Sequence, residues 1–196
     1  MIDYTKRGII VIGSARSGSH MTCDMLYNES TVENKIKIGE ITDVDVKSTV
    51  DKYHDKFIYG SIVQYQIKNI LAKNIEMLKD FNIVNIRRSN KIDQYISWCV
   101  FRAQGRSSII KHSPNWDDYK NFLPWASTKN DLELFLMEQH LDFAFLYDDI
   151  LYYEEITQTG MKTQFKKNSY PIPYQDIVTD YDLVVNFLKD YSYNGR

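Results

Sequence analysis

Apolar residues recur along the chain in two rhythms, one of short continuous or alternating runs and one spaced three or four apart. "RGIIVIG" (residues 7–13) is continuous, β-branched and closed by glycine, the pattern of a fully buried strand. Directly after it, "SHMTCDMLYN" places Met21, Met25 and Leu26 at helical spacing, so a helix opens at Ser19. "NKIKIGEI" (residues 34–41) alternates polar and apolar positions, as a short half-buried strand or an extended loop does. "KFIYGSIV" (residues 56–63) reads as a further strand. A helix from 66 to about 80 follows it, with Ile67, Ile70, Leu71, Ile75 and Leu78 on one face. "FNIVNIRR" (residues 81–88) is a second buried strand, ended by two arginines. It leads into the helical "KIDQYISWCVFRAQ", with Ile92, Tyr95, Ile96, Cys99 and Val100 turned inward.

Beyond that helix the pattern weakens. Residues 106–129 read as loop, with Pro114, Pro124, Trp116 and Trp125. A helix is predicted from 131 to about 145, then the β-leaning "ILYYEEI" (residues 150–156). "FKKNSYPIPY" (residues 165–174) holds two prolines and is irregular, and a last helix spans about 175–190. Strands alternating with helices predict an α/β fold, a parallel sheet covered by helices on both faces. No repeat or Pro/Gly/Ser-rich linker divides the chain, so residues 1–196 read as one domain. Ligands of such sheets bind at the carboxyl ends of the strands, where both "GSARSGSHM" and "RRSNK" fall.

Composition narrows the function classes. The 196 residues carry 24 basic and 26 acidic side chains, so no overall field favours nucleic acid or a membrane surface, and any anion site is local. Cys23 and Cys99 lie among apolar residues of expected helices and read as reduced core thiols. No stretch has the form of a signal peptide or a membrane span, which predicts a cytoplasmic protein.

The chemistry concentrates in "GSARSGSHM" (residues 13–21). Two glycines five apart, between a buried strand and a helix, are the skeleton of a phosphate-binding loop. The lysine and hydroxyl that usually follow the second glycine are replaced by Ser19 and His20. No aspartate ends the strand at 81–88, so equipment for Mg²⁺ is poor and no metal is expected. Positive charge enters instead at Arg16, whose guanidinium can fork onto two oxygens of one phosphoryl or sulfuryl group. Ser17 and Ser19 add hydroxyl donors, His20 a ring donor, and the helix start beyond Gly18 adds backbone N–H groups and a positive dipole end.

This loop resembles that of sulfotransferases using 3′-phosphoadenosine 5′-phosphosulfate (PAPS), which read roughly G-x-[PA]-[RK]-S-G-[ST]-[ST]. Gly13, Ala15, Arg16, Ser17, Gly18 and Ser19 match it. The resemblance implies a P-loop-like fold, PAPS as co-substrate, and Arg16 stabilising charge on the bridging oxygen as the sulfuryl group leaves. "NIRRSNKIDQYISW" is similar to a segment of the bacterial trehalose-type enzymes. That likeness implies Arg88 and Ser97 on the 3′-phosphate, with Lys91 nearby. Arg88 precedes Ser97 by nine residues where the family has eight. "LYYEEI" is similar to the family's Y-E-[DE]-L strand, and Lys166 and Lys167 stand where related enzymes place a basic loop over the nucleotide.

Direct transfer to a hydroxyl needs a proton acceptor. Glu40 lies 24 residues beyond Arg16, flanked by Ile38 and Ile41; partial burial there would suit it to that task, and His54 is its rival. The resulting expectation is a PAPS-dependent sulfotransferase acting on a small-molecule or carbohydrate hydroxyl, with Trp116 and Trp125 either packing or forming a sugar platform. A P-loop kinase and a non-catalytic nucleotide-binding module are the alternatives.

Overall fold

The computed structural model describes residues 2–14, 16–41, 46–63, 69, 76–103, 124–139, 148–158 and 174–192. They group into two compact units, residues 1–88 with 140–165, and residues 89–139 with 166–196.

The first unit is built on a five-stranded sheet: β1 (Gly8–Gly13), β2 (Lys35–Glu40), β3 (Phe57–Val63), β4 (Asn82–Arg87) and β5 (Asp149–Tyr152). Its order is β2-β3-β1-β4-β5 and every pairing is parallel. β1 therefore lies at the centre, buried along its whole length, which is why its sequence is apolar without alternation. Helices cover both faces. On one, α1 (Ser19–Glu29) packs Met21, Cys23 and Met25 against Ile9, Val11, Tyr59, Val84 and Ile86. On the other, Val50 of α2 (Val46–Lys52) and Leu78 pack against Ile10, Ile12, Ile58, Ile62 and Ile83.

α2 has no counterpart in the sequence reading: among the described side chains of residues 47–52 only Val50 is buried, and no apolar stripe announces the helix. The expected helix at 66–80 lies mostly outside the described residues; its described end, residues 76–78, is helical. "LYYEEI" is not one strand. β5 ends at Tyr152 and α5 (Tyr153–Gln158) begins at once.

Two polar side chains tie the amino-edge ends of the strands. The buried Asn82 amide donates to the carbonyls of Asp3 (2.9 Å) and Gly8 (3.0 Å) and accepts from the Asp3 N–H at 2.8 Å. The Asp148 carboxylate accepts the Ile83 N–H at 2.7 Å and the Lys6 ammonium at 3.3 Å, setting the start of β5 against β4.

The second unit is helical: α3 (Lys91–Ala103), α4 (Lys129–Gln139), α6 (Tyr174–Ile177) and α7 (Tyr181–Ser192). Residues 94–100 of α3 are all buried, among them Ser97 and Gln94. Tyr95 stacks on Trp98, and Phe135 meets both edge-on. Trp125 meets Trp98 edge-on at 6.1 Å, and its backbone pairs with Val178. Packing therefore accounts for Trp125; Trp116 lies outside the described residues.

Local capping corrects two boundaries. Thr128 and Asp131 form a reciprocal cap, with the Asp131 N–H donating to Thr128 Oγ1 at 3.1 Å and the Thr128 N–H to Asp131 Oδ2 at 3.0 Å, so α4 starts at Lys129 rather than at 131. The expected helix at 175–190 is two, because the Val178 bridge interrupts it and Asp180 caps α7 through the Leu183 N–H.

Replacing Asn82 with Ala leaves the buried Gly8 carbonyl and the part-buried backbone groups of Asp3 without their side-chain partner. We expect a loss of about 2 kcal/mol, read as a lower urea midpoint at unchanged slope.

Candidate functional site

The chain leaving β1 returns to the sheet at β2 on one edge, and the chain leaving β4 returns at β5 on the other. The strands' carboxyl ends diverge between β1 and β4, the position where open parallel sheets form a crevice. The Gly13–Ser19 turn follows β1, and Arg88 follows β4. His54 stands on the opposite edge, just before β3, with its Nδ1 3.1 Å from the Asp51 carbonyl; seven residues of strand, about 20 Å, separate it from the turn.

The turn is tight and left-handed at two points, Arg16 (φ 64°) and Gly18 (φ 100°). The Ser17 N–H closes it by donating to the Ser14 carbonyl at 3.1 Å. A Cβ on Gly13 would overlap the Ser17 hydroxyl oxygen and come within 2.7 Å of Ile86 Cγ2, so the hydroxyl lies inside the turn against bare glycine. Ser17 is fully buried, and its Oγ has no hydrogen-bond partner among the described residues. Gly18 is barred from carrying a side chain twice over, by its φ and by the Tyr153 ring, whose Cε2 would lie 2.9 Å from a Cβ.

Gly18 precedes α1, and no side chain caps the helix. The first turn contains no acidic residue, so the N-terminal N–H groups and the positive dipole end keep their preference for an anion. Thr22 spends its hydroxyl on the Gly18 carbonyl at 3.1 Å, fixing the helix start. Ser19 is buried as the first helical residue, and Arg16 is half-buried beside it.

Tyr153 is the residue the sequence concealed. It reads as one member of a β-leaning run, yet as the first residue of α5 it lies against Gly18 and carries the Arg88 guanidinium 4.7 Å from its ring centroid. Arg88 is only 12% exposed, and its Nε stands 4.0 Å from Glu154 Oε1.

Glu40 ends β2 on the α1 face of the sheet. It is exposed, not half-buried by Ile38 and Ile41 as expected, since Ile38 is only half-buried and Ile41 turns into the opposite core. His20 is exposed as a residue, while the protein packed round its ring excludes enough water to matter. Desolvation lowers its pKa, the Glu40 carboxylate opposes that shift, and the Arg16 guanidinium adds to it. The structure thus gathers Arg16, Ser17, Gly18, Ser19, His20 and Glu40 at the carboxyl ends of β1 and β2, with Arg88 beyond β4. Ser97 and Lys91 belong to the second unit. Ser97 is buried, and Lys91 Nζ donates to Gln94 Oε1 at 3.1 Å. Lys166 and Lys167 lie outside the described residues.

Other groups in this unit are structural. Burial pushes the pKa of the Cys23 thiol up to about 12, and neither Cys23 nor Cys99 of the second unit forms a disulfide. Among the described residues, no group of three or more His, Cys, Asp and Glu is placed to hold a metal ion, and no helix is long and apolar enough to cross a membrane.

Fold and site together define an α/β protein with a five-stranded parallel sheet and a glycine-bounded turn at its carboxyl edge. Comparison with family models, with curated proteins and with solved structures finds no match.

The two left-handed residues respond oppositely to substitution. Gly18→Ala combines left-handed strain with a clash against Tyr153 and is expected to cost about 2 kcal/mol or more. Arg16→Gly relieves strain of about 1 kcal/mol, so its melting temperature stays level or rises. Thermal unfolding of the pair checks both.

The lowered pKa of His20 means that the unfolded chain takes up its proton first as pH falls. Its contribution to stability is therefore complete above the ordinary imidazole value of about 6.5 and is lost as pH drops from there through the folded value. His20→Asn should flatten the unfolding free energy over that window, measured by urea titration at several pH values.

Proposed function

We propose that this chain is a sulfotransferase moving a sulfuryl group from PAPS to an acceptor hydroxyl. The observation that carries the reading is the start of α1, an uncapped helix N-terminus with a buried, unpartnered Ser17 hydroxyl inside the turn and Arg16 as the turn's cation. Such a site suits a polyanion held by backbone N–H groups, hydroxyls and one guanidinium. The resemblance of "GSARSGSH" to the PAPS loop selects phosphosulfate among polyanions.

In this reading the turn holds the 5′-phosphosulfate, and Arg16 with Ser19 faces the charge that grows on the bridging oxygen as sulfur leaves it. Arg88 supplies the cation for the 3′-phosphate. A phosphate oxygen would compete there with the Glu154 carboxylate, whose Oε1 lies 4.0 Å from Arg88 Nε. The acceptor hydroxyl approaches from the side of Glu40 and His20, and a carbohydrate is the acceptor class favoured by the trehalose-type likeness. Positioning and charge stabilisation provide the catalysis, as in phosphoryl transfer.

A non-catalytic module binding the same nucleotide is the second reading, favoured by the exposure of Glu40. Turnover separates the two.

Adenosine 3′,5′-bisphosphate should bind at least about tenfold tighter than adenosine 5′-phosphate, about 1.4 kcal/mol, in calorimetric titration. Arg88→Ala should narrow that gap, and Arg16→Ala should abolish transfer of labelled sulfate from PAPS in a folded protein. Equal affinity for the two nucleotides overturns the reading; bisphosphate selectivity without turnover on any acceptor leaves the binding module.

A further inference from the structure

A polar seam runs between α1 and β2 along the otherwise apolar face of the sheet. At its amino end, Lys35 Nζ donates to the carbonyls of Tyr27 (2.8 Å) and Ser30 (2.7 Å). One step along, Lys37 pairs with the buried Asp24, which also accepts from Asn28 at 3.4 Å. Advancing up β2 thus means moving back along α1, turn by turn, on the stripe Asn28–Asp24. The next residue back on that stripe is His20.

The β2 side arrives at the matching place through an irregularity. Lys37 pairs with Tyr59 and Glu40 with Ser61, so β2 spends three residues where β3 spends two. A β-bulge of this kind re-aims the side chains beyond it. Here it returns Glu40 to the face shared by Lys37, Tyr59 and Ser61, the face α1 covers. One helical turn before Asp24 and one ladder step beyond Lys37 meet at His20 and Glu40. In that arrangement the Glu40 carboxylate acts on the imidazole, raising its pKa against the larger effect of desolvation.

We propose that His20 is the catalytic base of this site and that Glu40 is its positioning residue, so that the seam ends in a carboxylate–imidazole pair at the mouth of the turn. The proposal rests on the sulfuryl-transfer reading and gives its proton step a residue. As the acceptor oxygen bonds to sulfur, the bond from sulfur to the 5′-phosphate oxygen breaks, and that oxygen keeps the electron pair. The acceptor's hydroxyl proton passes to the imidazole and then to solvent, which the exposure of His20 allows. The groups acting on the ring are Glu40 from β2, Arg16 from the turn, and the desolvating protein around it; on balance they keep it neutral and ready to accept. Glu40 favours the imidazolium once formed, as an orienting carboxylate does behind a catalytic histidine.

Three variants test the pair. His20→Gln keeps a donor but no basic ring. It should lower kcat by roughly 10²- to 10⁴-fold, leave adenosine 3′,5′-bisphosphate affinity within about twofold, and remove the acid-side inflection of the pH–rate profile. Glu40→Gln should retain more activity and move that inflection to lower pH, matched by a lower His20 titration in NMR. Glu40→Asp should restore part of the shift. Loss of bisphosphate affinity in His20→Gln makes the histidine a ligand donor and overturns the proposal, as does full activity of that variant. A His20 titration unmoved by Glu40→Gln overturns the pair irrespective of activity. Absence of both bisphosphate binding and PAPS turnover in the unaltered protein overturns the sulfuryl-transfer reading itself, and the proposed proton step with it.

Discussion

The turn between β1 and α1 can close only because Gly13 and Gly18 carry no side chains. Bare glycine at Gly13 leaves room for the Ser17 hydroxyl inside the turn, and bare glycine at Gly18 admits the Tyr153 ring. Everything at the carboxyl edge follows from that closure. The start of α1 is aimed by it, and Arg16 takes a left-handed conformation to complete it. A non-glycine residue held left-handed is stored strain, and strain of this kind persists where the surroundings over-determine it. Here the surroundings are the buried β1 on one side and α5 on the other.

The sheet order gives this turn its chemical setting. β1 sits between β3 and β4, so the turn that follows β1 and Arg88 after β4 share one edge of the sheet. β2 reaches the same edge at Glu40, with its bulge keeping the carboxylate on the α1 face. The pairing of the buried Asp24 carboxylate with the partly exposed Lys37 ammonium has a structural consequence of its own. A charge taken out of water is costly unless matched, so this pair locks α1 to β2 in one register. That register is what brings His20 and Glu40 to the same level.

Much of the fold was legible in the chain. β1, β3 and β4 begin and end close to where apolar runs meet glycine, charged or polar residues, because a buried central strand has few polar positions to blur its limits. α1 and α3 were equally plain from their apolar spacing. The misreadings share a cause. α2 buries too little to leave a stripe, and "LYYEEI" carries aromatic residues that suit a strand and a packed helix start alike. The split of the last helix turned on a tertiary pairing, Trp125 with Val178, that no local pattern contains. The helix at Lys129 starts ahead of its apolar spacing because the Thr128–Asp131 cap in "STKND" fixes its first turn.

For the candidate site, sequence alone determined the glycines, the single arginine and the hydroxyls of the turn, because backbone geometry and anion chemistry restrict residue type at fixed spacing. It also placed Arg88 at a strand end. Only tertiary structure decided how these groups are used. Tyr153 comes from a distant part of the chain to lie on Gly18 and under Arg88. Glu40 proved exposed, because burial depends on what packs over a residue and not on its two apolar neighbours in sequence. His54 was removed to the far edge by the length of β3. The level shared by His20 and Glu40 rests on the register shift between β2 and β3 and on the Asp24–Lys37 ion pair between α1 and β2, two tertiary features that no local pattern contains.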